Sequence, residues 1–147
     1  MILALDISTS CTGYCLFDEN ELVAINYINL SKHKGLYEKA ACVKDRIQEL
    51  SREYDIAEIV VEENLQAFRP GLSSAKTLMT LAQFNGVVRW ICYEIFGQEV
   101  HAINVNTARK SVGLKINKKD KSKTTKEKVL DWVSIDDSSI KWPTKIL

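Results

Sequence analysis

The chain has 147 residues, 46% apolar and 27% charged, with a formal net charge of +1. That length supports one domain with a proper core and not two, and the composition is ordinary for a soluble globular protein. No apolar run approaches a membrane span, and the early acid Asp6, with no basic segment before it, argues against a signal peptide. The four cysteines, 11, 15, 42 and 92, form no CxxC or Cys/His cluster, so buried, reduced thiols of a cytoplasmic protein are expected rather than zinc ligands.

The first element is an apolar strand, Ile2 to Leu5, that ends in Asp6. A turn of small hydroxyl residues (Ser8, Thr9, Ser10, Thr12) and Gly13 lead to a second strand, Tyr14 to Phe17. An ionised carboxylate at the end of an apolar strand is costly unless something positive meets it. A divalent metal would answer that need; so would capping of the turn by Asp6 itself, and these residues alone leave the two readings level. The turn signal DENEL precedes a third strand, Leu22 to Leu30, and the three strands make an antiparallel meander.

A long amphipathic helix follows over about Gly35 to Tyr54, with Leu36, Ala40, Val43, Ile47, Leu50 and Tyr54 on one stripe. The run Ile59-Val60-Val61 then marks a central strand, Ile56 to Glu62, buried on both faces and, after a helical crossover, parallel to the first. It too ends in acid, Glu62 and then Glu63. Ligands of open α/β sheets gather beyond the carboxyl ends of strands, so the pairing of Asp6 with Glu62 favours a functional role for both. Strand alternation turns Glu63 to the other side and ranks it second.

A loop with Phe68, Arg69, Pro70 and Gly71 leads into a second long helix, Ser74 to Phe96, capped by Ser73 or Ser74. This helix has two apolar stripes: Leu81, Phe84, Val88, Ile91 and Ile95, and Ala75, Met79, Ala82 and Trp90. The second stripe fits either central burial or a contact with a second subunit. Next come a fifth strand (Glu99 to Val105), a short helix (Asn106 to Val112, capped by Asn106 or Thr107), a lysine-rich loop (Gly113 to Thr125) and a helix from Lys126 to Val133; Asp136 and Asp137 read as loop. Charge is divided unevenly. Residues 1–100 hold nine Lys/Arg against fourteen Asp/Glu, and residues 101–130 hold nine against two. A block of one sign is usually a solvated tail, but one lying between ordered segments competes as a loop facing a polyanion.

The segments ILALDISTSCTGY, IVVEE, LAQFNGVV and INVNTARKSVG, with a basic loop closing on TKEKV, resemble the RuvC family of Holliday junction resolvases, in particular its phage and poxvirus branches. The resemblance covers nearly the whole chain. It implies an α/β ribonuclease-H-like fold, with a mixed five-stranded sheet flanked by helices, as one nuclease domain over residues 1–147. The implied activity is metal-dependent, structure-selective hydrolysis of phosphodiesters in Holliday junctions or other branched DNA, with two Mg²⁺ ions (Mn²⁺ as substitute) and a homodimer acting in the cytoplasm, the host's if the protein is viral. Asp6, Glu62 and Glu63 become metal ligands, and Asp6, Glu62, Lys110 and Lys126 the catalytic set. Phe68, Arg69, Lys115, Lys118, Lys119, Lys121 and Lys123 become DNA-binding residues, with Phe68 available to stack on an unpaired base. The chain departs from the family in having Ile7 and Ser8 where a Gly follows the first acid, and in lacking the closing helix with paired acids. The second departure keeps a non-catalytic branched-DNA-binding module as the alternative. An actin-like ATPase fragment is disfavoured because no Gly-rich phosphate loop is present.

Overall fold

The computed structural model describes residues 1–19, 21–63, 74–116 and 122–136, with the backbone alone at 135 and 136. The chain divides into two compact units, Met1–Ile103 and Asn104–Leu147.

Among the described residues, the first unit holds a five-stranded sheet and two helices. Strands β1 (Ile2–Asp6), β2 (Cys11–Asp18) and β3 (Glu21–Asn29) form an antiparallel meander. Helix α1 (Leu36–Glu53) then carries the chain to β4 (Glu58–Glu62), which pairs with β1 in parallel as expected. Helix α2 (Ala75–Phe96) leads to β5 (Val100–Ile103), parallel to β4, and the strand order is β3-β2-β1-β4-β5.

Period-two burial organises the sheet. Leu3 and Leu5 of β1, Tyr14 and Leu16 of β2, and Ile59 and Val61 of β4 are buried on one face. They form a single core with Ala40, Val43, Ile47 and Leu50 of α1 and Phe84, Val88, Ile91 and Cys92 of α2. Val60, on the other face of β4, is only half-buried, so this strand is not enclosed on both sides as its apolar run suggested. Gly35 and Tyr54 cap α1 rather than extend it. Ser74 caps α2, its hydroxyl accepting from the Thr77 N–H at 3.1 Å. Gly97 closes α2 in the left-handed region, φ 65°, a conformation that glycine adopts without side-chain strain.

Thr12 belongs to β2 and not to the preceding turn. It is fully buried, and its hydroxyl donates to the Ser8 carbonyl at 3.1 Å. Tyr14 lies beneath α1, where Arg46 donates to its hydroxyl from Nε at 3.0 Å and pairs with Glu49 at 2.7 Å. The second stripe of α2 is not buried: Ala75, Met79, Ala82 and Trp90 are all exposed, as is Tyr93.

All four cysteines are free, but only Cys92 is buried; Cys11 is exposed, and Cys15 and Cys42 are half-buried. Burial pushes the Cys15 thiol up to about 11 and the Cys92 thiol up to about 12 from 9.0. A raised folded-state pKa means that the unfolded chain loses these protons first as pH rises. Stability from the protonated thiols is therefore complete below pH 9.0 and is lost on the way to about 12. The melting temperature of the wild type should fall more steeply between pH 9 and 11 than that of Cys92→Ala, measured by circular dichroism.

The second unit contains α3 (Val105–Ser111) and α4 (Thr125–Asp136). The fifth strand ends earlier than its apolar pattern suggested, because Asn104 already caps α3 by accepting from the Asn106 N–H at 3.0 Å. α3 closes in a Schellman turn: the Leu114 N–H donates to the Arg109 carbonyl at 2.8 Å and the Gly113 N–H to the Lys110 carbonyl at 3.1 Å. Gly113 takes the φ of 75° that this turn requires. At the start of α4, Thr124 and Glu127 form a reciprocal capping box. Hydrogen bonds from Thr124 hold the Glu127 carboxyl below its ordinary range. α4 runs on through Asp136, where the sequence pattern predicts a loop; Asp137 and Trp142 lie outside the described residues.

Candidate functional site

The parallel pairing of β1 with β4 sets Leu5 opposite Val61. One residue further along, each strand presents its terminal acid, Asp6 and Glu62. Neighbouring strands run about 4.8 Å apart, so these two residues stand beside each other at the carboxyl edge of the sheet. Leu5 and Val61 point into the core; alternation therefore turns Asp6 and Glu62 together to the opposite face. Both are exposed.

Among the described residues, nothing hydrogen-bonds or ion-pairs with the Asp6 carboxylate. The capping role open to it from sequence is not the one the structure displays. Its charge acts instead on Cys11, whose thiol is pushed up by burial first and by Asp6 second. Gly13 of β2 sits opposite Asp6. A β-carbon added there would lie 3.9 Å from the Asp6 β-carbon, an ordinary contact, so alanine fits while a large side chain would cover the carboxylate.

The turn after Asp6 is fastened at three successive carbonyls. Ser8 O accepts from the Thr12 hydroxyl at 3.1 Å, Thr9 O from Lys39 Nζ at 2.6 Å, and Ser10 O from the Leu30 N–H at 2.9 Å. Lys39 reaches across from α1, so helix packing and the position of the acid's turn are linked. Glu63 continues the ladder beyond β4, its N–H donating to the Ile103 carbonyl at 2.9 Å. It is half-buried, and alternation carries its side chain away from the face that Glu62 occupies.

Two carboxylates from rigid strand ends are a hard-oxygen donor set. Mg²⁺ is commonly held by one or two carboxylates, with water and substrate phosphate completing its shell, so Asp6 and Glu62 fit one such ion. Among the described residues, no group of three or more His, Cys, Asp or Glu side chains is placed to hold a metal.

Of the basic residues expected in the second unit, Lys110, Lys115, Lys123 and Lys126 fall on α3, α4 and the segments beside them. Lys110 is in the last turn of α3, and Lys115 follows the Gly113 turn. Lys123 precedes α4 and pairs with Asp131 at 2.7 Å, both exposed. Lys126 is exposed in the first turn of α4. Phe68, Arg69, Lys118, Lys119 and Lys121 lie outside the described residues. A concavity of about 310 Å³ in this unit is lined by Asn106, Arg109, Lys110, Gly113, Leu114, Lys115, Ile116 and Thr125. Sequence reasoning missed Arg109 and Asn106; the signal for Arg109 was its place beside Lys110. In the first unit, a second concavity at Lys44, Gln48, Ser51, Arg52, Glu94 and Ile95 includes neither Asp6 nor Glu62.

A meander of three strands, a helical crossover to a parallel fourth strand and a second crossover to a fifth define an α/β ribonuclease-H-like fold. The sheet is mixed and five-stranded, as expected. Within that class the fold is RuvC-like. The chain is similar to the Thermus thermophilus RuvC structure, at 16% identity over 97% of this chain and 84% of that one, with a TM-score of 0.63. It is also similar to T. thermophilus RuvC in complex with a Holliday junction substrate, at 15% identity over 75% of this chain and 68% of that one, with a TM-score of 0.62. No protein-family model matches the sequence, and no curated protein sequence does. Among the described residues, no helix is long and apolar enough to cross a membrane.

Proposed function

We propose that this chain is a metal-dependent, structure-selective endonuclease that hydrolyses phosphodiesters in Holliday junctions or other branched DNA. The observation that carries this reading is the meeting of Asp6 and Glu62 on one exposed face at the carboxyl ends of two adjacent parallel strands. Likeness in fold to a protein seen with a Holliday junction supports it, as do the motifs ILALDISTSCTGY and IVVEE, on which we assign the chain to the phage and poxvirus branch. We read residues 1–147 as one nuclease domain, working in the cytoplasm.

In this reading Asp6 and Glu62 hold Mg²⁺, with Mn²⁺ as a substitute, and Glu63, turned to the other side of the strand, stays outside that pair. The metal, when bound, supplies a Lewis acid for the phosphoryl oxygens and lowers the pKa of water. Asp6 is pre-positioned by its fastened turn, so little reorganisation is needed when charge builds. Lys110 and Lys126 meet phosphoryl charge. Lys126 stands in the first turn of α4, where the helix dipole opposes a cation; that placement is easier to account for if an anion is received there. Lys115, Lys118, Lys119, Lys121, Lys123 and Arg69 contact the DNA backbone, and Phe68 stacks on an unpaired base.

The exposed stripe of α2 serves as the homodimer contact, with Met79 64%, Trp90 57% and Tyr93 58% accessible around the small residues Ala75, Ala82 and Gly86. Large anchors among small residues suit a self-complementary helix pair. Trp90→Glu should weaken the dimer at least thirtyfold, the loss expected of a hot-spot anchor at about 2 kcal/mol. Sedimentation equilibrium measures it, and an unchanged dimer constant would remove α2 from the interface.

The deciding assay incubates the chain with four-way and linear DNA, with Mg²⁺ or EDTA. Nicking of the junction with Mg²⁺ only is expected. A second reading, a branched-DNA-binding module without catalysis, is favoured by the absence of a third clustered ligand among the described residues. Junction binding by gel shift, without nicking in Mg²⁺ or Mn²⁺, would select it.

A further inference from the structure

The concavity of the second unit combines features that a simple phosphate-contacting surface does not need. Its apolar lining comes from Leu114 and Ile116, both half-buried. Among the described residues its cations are Arg109, Lys110 and Lys115, and no carboxylate lines it. Among the described residues, none of these three side chains has an ion-pair partner, and neither the Asn106 side-chain amide nor the Thr125 hydroxyl has a hydrogen-bond partner. The Schellman turn explains how the parts meet: Gly113 reverses the chain so that Leu114 and Lys115 fold back beside Arg109 and Lys110.

An apolar lining and a cationic rim call for a ligand with an apolar body and an anionic end. A volume of about 310 Å³ lies at the small end of ligand pockets, which span about 300–1,000 Å³. It is too small for a duplex and suitable for one nucleotide. The amide of an asparagine pairs a donor with an acceptor, the combination that reads a base edge. We propose that this pocket binds a single unpaired nucleotide: its base rests on Leu114 and Ile116 within reach of Asn106, and its phosphate is met by Arg109, Lys110 and Lys115. The proposal deepens the branched-DNA reading on which it rests, because a branch point is where a nucleotide is free to leave the stack. A free nucleoside monophosphate has the same chemistry.

The test titrates the full chain, in EDTA, with thymidine 5′-monophosphate, single-stranded dT4, thymidine and inorganic phosphate. Amide NMR shifts at Gly113, Leu114, Lys115 and Ile116 are the readout. The monophosphate or dT4 should move these amides, with thymidine and phosphate each binding at least tenfold more weakly. Arg109→Gln and Ile116→Ser should each weaken binding at least fivefold, and Lys115→Gln, on the exposed rim, repeats the test should either variant unfold. Tighter binding of dT4 identifies a strand as the source; binding of the monophosphate alone identifies the free nucleotide, and both support the pocket. Equal affinity for inorganic phosphate would overturn the proposal, as would the absence of shifts at these amides. Metal-free binding is blind to nicking, so loss of nicking with binding intact counts against the nuclease alone.

Discussion

Replacing Asp6 with asparagine should abolish Mg²⁺-dependent nicking of a four-way junction while leaving the protein folded. Asparagine keeps the shape of the side chain and removes its charge. Among the described residues the carboxylate has no hydrogen-bond or ion-pair partner to lose, and it is exposed, so the melting temperature should stay within a degree or two. Metal-ion catalysis contributes several kcal/mol of transition-state stabilisation. Loss of about 3 kcal/mol corresponds to a rate reduction of about a hundredfold or more. Glu62→Gln should act in the same direction. Single-turnover cleavage on a labelled junction measures both, and an Asp6→Asn protein that cleaves at the wild-type rate would remove the acid pair from the chemistry.

Junction binding should weaken steeply with salt. Each phosphate neutralised on duplex DNA contributes about −0.9 to the slope of log affinity against log salt. Lys115, Lys118, Lys119, Lys121 and Lys123 supply five contacts if all engage. Lys123 is already paired with Asp131, but an exposed pair contributes only about 0–1 kcal/mol, which a phosphate can replace. Four to five contacts give a slope of about −3.6 to −4.5, or a loss of about 150- to 500-fold between 50 and 200 mM salt. Lys115→Gln should make the slope shallower by about one. Fluorescence anisotropy on a labelled junction in EDTA measures the slope; a wild-type slope shallower than about −2 would exclude the lysine loop as the main phosphate contact.

Much of the fold was legible because its signals are local. The stripe Ala40, Val43, Ile47 and Leu50 repeats at helical spacing and is buried. Strand-helix-strand order, with the handedness of crossovers, was enough to expect β4 parallel to β1. Errors fell where two local signals compete. Thr12 reads as a turn residue, yet burial and its bond to Ser8 keep it in β2. Asn106 and Asn104 are equally good caps by type; Asn104 takes the role and shortens β5. The second stripe of α2 was ambiguous between core and interface, because apolar spacing records a face and not what covers it.

The sequence by itself determined the kinds of element and their order, and the placing of an acid at the end of each of two apolar strands. It also determined that positive charge collects after residue 100, since composition and periodicity are properties of neighbouring residues. Tertiary structure decided that Asp6 and Glu62, so far apart in the chain, share one face, because strand register is set by packing of Leu5 and Val61 in a common core. It likewise decided that Arg109 and Asn106 line a pocket with Leu114 and Ile116, because only the reversal at Gly113 brings them to one surface.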